Sequence, residues 1–283
     1  MPRTSWPALR LHLPSADRER LGYLLWAALD DLRPTAIEDR TERDGTLVVF
    51  FPLDGQRSDA AARLRQELGR LGLVVAEIDV KDEGWAERSQ ASITAVRVGR
   101  LTIAPPWDCP VPSPETIVIV PSMGFGTGHH QSTRPCLEAL QRLDLLDQTV
   151  IDAGTGSGVL AIAAVRLGAR AAIGLDTDED ALSCARENAA LNGVGDRVSW
   201  ERSDVRGFAA RPGDVVMANL TGPLLIASAR DLVRLARPGG FLILSGLLGS
   251  EEIEVVSAFQ DVARFDSRAA EGEWVGLLLT RTP

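Results

Sequence analysis

The run Val150-Ile151-Asp152-Ala153-Gly154-Thr155-Gly156-Ser157-Gly158 constrains the fold of this chain more than any other segment. It reads as a short apolar strand, a glycine-rich turn and the start of a helix. Glycines at alternate positions permit positive φ and let a ligand approach the backbone closely. A strand, tight turn and helix in that order belong to a parallel sheet covered by helices, and such sheets bind ligands at the carboxyl ends of their strands. The spacing is GxGxG, with Asp152 two residues before the first glycine. A dinucleotide fold wants GxGxxG, and the lysine of a phosphate-binding P-loop is absent. Read alone, the turn fits a ligand cradle and a bare tight connection equally well.

The flanking pattern bears on that choice. From about residue 117 onward, apolar runs alternate with amphipathic segments. Strands are expected at TVIDA, AAIGLD, RVSWERSD, DVVMAN and GFLILSG, with helices beginning near Gly158, Asp178, Gly222 and Gly249. Two closing strands, near ARFDSRAA and EWVGLLLTR, lack an obvious helix between them, which predicts an antiparallel hairpin at one edge of a seven-stranded sheet. Asp176 ends the second strand, 22 residues after Gly154, where a carboxylate can accept hydrogen bonds from two ribose hydroxyls. Asp204 ends the third. The ligand implied carries an adenosine but no long phosphate chain, and S-adenosylmethionine fits.

The N-terminal part has its own organisation. WPALRLHLP alternates like a half-buried strand, and the segment after Ser15, ADRERLGYLLWAALDDL, has helical spacing. TAIEDRTE and TLVVFFPL form two strand-like runs around Asp44-Gly45, a hairpin signal. SDAAARLRQELGRLG then reads as a helix and VVAEIDV as a strand. The order β-α-β-β-α-β is ferredoxin-like and suggests a recognition module by analogy alone. Polar KDEGWAERSQAS, strand-like RVGRLTIAPPW and proline-rich CPVPSPE follow as a linker. The expected division is a ferredoxin-like domain at 1–80, a linker at 81–116 and a catalytic α/β domain at 117–283.

Charge and cysteine usage limit the partners. Thirty-nine acidic against 30 basic side chains leave a net charge of −9, a poor basis for direct nucleic-acid binding. No apolar run reaches membrane-spanning length, and the N-terminus does not read as a signal peptide. Cys109, Cys136 and Cys184 are widely spaced with no CxxC pair, and there are three histidines. These features predict a cytoplasmic protein with reduced, mostly buried thiols and no metal site.

Upstream of the glycine turn lies Pro121-Ser122-Met123-Gly124-Phe125-Gly126-Thr127-Gly128-His129-His130-Gln131-Ser132-Thr133, before a helix near Arg134 that Ser132 or Thr133 can cap. This loop resembles the ribosomal protein L11 methyltransferase family, as do the DAGTGSGVLAIAAVRLGA, GLDTDEDALSCARENAALNG and MANLTGPL blocks. All occur in the family's order and near its separations, across roughly residues 85–250. The N-terminal domain matches in type. The resemblance implies a class I S-adenosylmethionine-dependent methyltransferase that trimethylates amino groups of ribosomal protein L11. One domain would hold the protein substrate and the other the methyl donor. Position by position, it implies cofactor contacts from Thr133, Gly154, Asp176 and Asn219, and a pocket shaped by Gly156 and Gly158. Asp204 would lie near the adenine. Asn219 would also orient the accepting amine, making it the candidate catalytic residue.

Three departures fall on the substrate side. His129-His130-Gln131-Ser132-Thr133 stands where the family usually has Thr-His-Pro-Thr-Thr. The segment from Asn219 to Pro223 is one residue shorter, and Trp85-Ala86-Glu87-Arg88-Ser89 lacks a second tryptophan. A different protein lysine or a small-molecule acceptor therefore stays open. For a lysine of pKa roughly 10.4, populating the neutral amine at pH 7 costs about 4.6 kcal/mol. A desolvated pocket lowers that cost. His129 and His130 are read either as proton acceptors or as loop-structural residues.

Overall fold

Alternation of apolar residues builds the sheet of the first unit. The computed structural model describes residues 5–12, 25, 34, 36–40, 46–81, 93–110, 113–120, 131–209 and 211–283. The chain divides into two units, Met1–Ser89 and Gln90–Pro283. In the first, β1 (Ser5–His12), β2 (Ala36–Arg40), β3 (Thr46–Phe50) and β4 (Val74–Lys81) form an antiparallel sheet of order β2-β3-β1-β4. Leu9, Leu11, Leu47 and Val49 pack with Ala60, Ala61, Leu64 and Leu68 of helix α1 (Asp54–Leu68). Their neighbours Ala8, Val48 and Phe50 cluster on the other face, as period-two patterning requires. This is the ferredoxin-like strand order. Of the helix expected between β1 and β2 only Leu25 is described, helical and buried; the Asp44-Gly45 turn lies outside the described residues.

Part of the stretch expected as linker is built into the second unit. β5 (Val96–Val98) and β6 (Leu101–Ala104) form a hairpin, and β7 (Thr116–Val118) runs parallel to β6. Val98, Leu101, Ile103 and Ile117 join the core of that unit. The run RVGRLTIAPPW, read as strand-like, holds β6 and most of β5, but its apolar residues belong to the core of this unit rather than to a linker.

The main sheet contains β8 (Thr149–Ala153), β9 (Ala171–Asp176), β10 (Val198–Arg202), β11 (Gly213–Asn219), β12 (Ala236–Leu248), β13 (Ala263–Glu271) and β14 (Trp274–Arg281). Its order is β10-β9-β8-β11-β12-β14-β13, parallel through β12 and closed by the expected antiparallel hairpin. Val215 and Met217 face one core, while Val216 and Ala218 face the other, so both sides of β11 are buried. Helices α2 (Thr133–Leu140), α3 (Val159–Arg166) and α4 (Glu179–Leu191) flank the sheet, as do α5 (Gly222–Ala227), α6 (Ala229–Leu235) and α7 (Glu252–Phe259). Strand order reverses between β8 and β11. Their carboxyl ends, at Ala153 and Asn219, therefore open onto the switch point where such sheets bind ligands.

Candidate active site

The glycine turn takes its shape from backbone conformations only glycine adopts freely. Gly154, Gly156 and Gly158 have φ of 72°, 51° and 81°. A Cβ at Gly158 would lie 2.7 Å from the Trp200 ring, and one at Gly174 would meet the same ring at 2.5 Å. The indole therefore packs flush against turn and strand, in keeping with a packing role for this tryptophan.

Asp176 emerges at the end of β9, partly exposed. One carboxylate oxygen accepts from the Gly156 N–H at 2.9 Å and the other from the Asp178 N–H at 3.1 Å. Each oxygen retains accepting capacity, because a carboxylate oxygen has two lone pairs. Asp176 is thus a pre-oriented acceptor joined to the glycine turn.

Beneath the turn lies Asp152, fully buried. Its Oδ2 accepts from Thr155 Oγ1 at 2.6 Å and from the Ala161 N–H at 3.1 Å, tying the turn to the first residues of α3. Oδ1 has no partner among the described residues. Burial pushes this carboxyl up to about 6 against the pull of its two donors, and the nearby Asp176 adds to the rise.

Asn219 ends β11 beside the turn. Its Nδ2 donates to Thr133 Oγ1 at 3.3 Å, and its buried Oδ1 has no partner among the described residues. The backbone leaves room for this arrangement. At Gly246, φ is +84°, and a Cβ there would come within 2.8 Å of Asn219 Oδ1. Thr133 is the first residue of α2 and fully buried. Ser245 Oγ lies 2.8 Å from the carbonyl oxygens of Ser132 and Val275, fixing the start of that helix against β12 and β14. Ser132 stands at the N-cap without bonding the helix N–H groups through its side chain. Thr133, Gly154, Gly156, Gly158, Asp176 and Asn219 therefore gather at one end of the sheet.

Asp204, expected near the adenine, already has a partner. Both oxygens engage the Arg206 guanidinium, with Nε at 3.0 and 3.1 Å, and Oδ1 also takes the Arg206 N–H at 2.9 Å. This pairing holds the Asp204 carboxyl down at about 2. An adenine contact would have to share the carboxylate with Arg206, a neighbour two residues away that sequence spacing did not flag.

His129 and His130 lie outside the described residues, and His12 is on β1 of the first unit. Among the described residues no cluster of His, Cys, Asp or Glu is placed to hold a metal. No helix among them is long and apolar enough to cross a membrane. None of the three cysteines is in a disulfide, but only Cys136 is buried; Cys109 and Cys184 are partly exposed, which corrects the expectation of mostly buried thiols.

A seven-stranded parallel-rich sheet with glycine turn, strand-end acid and strand-end asparagine defines a class I methyltransferase domain. Comparison with known proteins narrows the class. The ribosomal protein L11 methyltransferase family matches residues 28–282. A ribosomal protein L11 methyltransferase from Glaesserella parasuis is 31% identical over 95% of this chain and 97% of its own length. One from Geobacter metallireducens is 43% identical over 70% of this chain and 67% of its own. The crystal structure of a ribosomal protein L11 methylase from Lactobacillus delbrueckii subsp. bulgaricus superposes with a TM-score of 0.61 at 28% identity, covering 68% of this chain and 99% of that one. The chain belongs to the ribosomal protein L11 methyltransferase family and is an S-adenosylmethionine-dependent methyltransferase.

Proposed function

We propose that this protein transfers methyl groups from S-adenosylmethionine to amino groups of ribosomal protein L11, with Asn219 orienting the accepting nitrogen. The observation carrying this is the buried Oδ1 of Asn219 beside the glycine turn, which has no partner among the described residues. An orphaned buried acceptor is costly, and an amine N–H would satisfy it. The surrounding residues fit the donor. Asp176 would accept from the ribose hydroxyls, the Gly154–Gly158 backbone would admit the ligand closely, and Thr133 would hold Asn219 in place. Asp204 would reach the adenine while sharing its carboxylate with Arg206.

The bound cofactor supplies a methyl group already activated on a sulfonium. The protein's task is then alignment and exclusion of water, which convert a bimolecular encounter into an oriented one. Asn219 Oδ1 accepts one amine hydrogen and so turns the nitrogen lone pair away from itself. Its Nδ2, held by Thr133, cannot take that place.

The first unit would hold the protein substrate and the second the donor. The −9 charge would favour a basic protein partner over nucleic acid. Three cysteines, none in a disulfide, support a cytoplasmic setting. Calorimetry with S-adenosylmethionine tests the site. Asp176→Ala should raise Kd about 100-fold, the scale of two hydrogen bonds to a charged acceptor. An unchanged Kd would remove Asp176 from the site.

A further inference from the structure

Asn188, on the buried face of α4, and Asn192, at its C-cap, make contacts that no expectation from the sequence assigned to them. Asn188 and Asn192 are 0% and 7% exposed. Asn192 Oδ1 accepts from the Val118 N–H at 2.9 Å, and its Nδ2 donates to the Val118 carbonyl at 2.7 Å and the Asn188 carbonyl at 2.8 Å. Asn188 Oδ1 accepts from the Val120 N–H at 2.9 Å. The two side-chain amides thus take the place of a neighbouring strand for residues 118–120.

Asn188 alone reaches further. Its Nδ2 donates to the Ser157 carbonyl at 2.9 Å, inside the glycine turn. The Ser157–Gly158 peptide is one plane. Its oxygen is held by Asn188 and its N–H by the Thr155 carbonyl at 2.9 Å, so both edges are pinned. Gly156, one residue earlier, donates its N–H to Asp176.

We propose that Asn188 is a positioning residue for the methyl donor: through Ser157 it holds the glycine turn in its binding shape. Asn192, which does not touch the turn, holds the 118–120 segment and the Asn188 carbonyl. This role rests on the reading of the turn as the cofactor cradle. It differs from a plain packing role in one respect. Both asparagines contribute to folding, but only Asn188 sets donor affinity.

The test compares Asn188→Leu and Asn192→Leu, each removing buried amide bonds at similar volume. Both lower the melting temperature. The Kd for S-adenosylhomocysteine should rise about tenfold in Asn188→Leu, the scale of one buried hydrogen bond. In Asn192→Leu it should stay within about twofold on the same reasoning. Asn188→Asp guards against a misfolded leucine variant. It keeps the acceptor for Val120 and loses the donor to Ser157, which protonation restores. The ratio of its Kd to that of the natural chain should therefore fall as pH is lowered from about 8 to about 5. Equal Kd shifts in both leucine variants, or a Kd ratio for Asn188→Asp that does not change with pH, would overturn the proposal. Failure of the natural chain to bind S-adenosylhomocysteine would instead defeat the cofactor reading, and this inference with it.

Discussion

Asp152 shows how a residue can serve a site without facing a ligand. Its two donors, Thr155 Oγ1 and the Ala161 N–H, close the glycine turn onto α3, while burial opposes its charge. The folded carboxyl titrates near 6, above the ordinary aspartate value of about 4, so the native state prefers the neutral acid. Its contribution to stability is therefore complete below about pH 4 and is lost as pH rises through about 6. Two pH units correspond to about 3 kcal/mol. Asp152→Asn keeps an oxygen for both donors and removes the titration. Urea unfolding should show the variant gaining on the natural chain by about 3 kcal/mol between pH 4 and pH 7. A stability difference independent of pH would mean that folding does not raise the Asp152 carboxyl above its unfolded value.

At the scale of the element, the strand–turn–helix from β8 to α3 was the most legible part of the sequence, because glycine is needed there for two separate reasons. Gly154 and Gly158 share positive φ, so alanine at either costs about 1–2 kcal/mol from the backbone alone. Their surroundings differ. A Cβ at Gly154 would meet only the Cδ2 end of the flexible Leu220 side chain, whereas one at Gly158 would press on the Trp200 ring and Ala185 Cβ. Gly158→Ala should therefore destabilise more than Gly154→Ala, by about 1 kcal/mol or more in chemical denaturation. The reverse ranking would show that the indole yields more easily than the leucine. Asp176 was legible for a related reason, since it ends an apolar run at which the pattern breaks, whereas Asn219 was singled out through the family resemblance. Asn188 and Asn192 gave no such signal. Their meaning lies in which backbone groups they meet across the fold, at Ser157, Val118 and Val120. Arg206 escaped notice likewise, since nothing in one sequence says that an arginine two residues along will close on Asp204.

The whole molecule joins a ferredoxin-like unit to a methyltransferase unit, and the seven-stranded sheet closed by an antiparallel hairpin agrees with what the sequence implied. The boundary was harder to read. The stretch expected as linker supplies β5, β6 and the first residue of β7, and the few apolar residues of these strands complete the core of the second unit. In that unit the order reversal between β8 and β11 brings Gly154 and Asn219 together from 65 positions apart in sequence. The sequence departs from the family pattern at residues 129–133 and 219–223, which the resemblance ties more to the substrate side than to the cofactor side, so the acceptor is where the functional account is most exposed to test. The most direct measurement incubates the protein with S-adenosylmethionine labelled in the methyl group and a full set of ribosomal proteins, then locates the label by mass spectrometry. The enzyme's own single lysine, Lys81, limits self-labelling on lysine to one site. Label on amino groups of L11, lost or sharply reduced with Asn219→Ala, is the predicted result. Label absent from L11 and present on another protein would contradict the account.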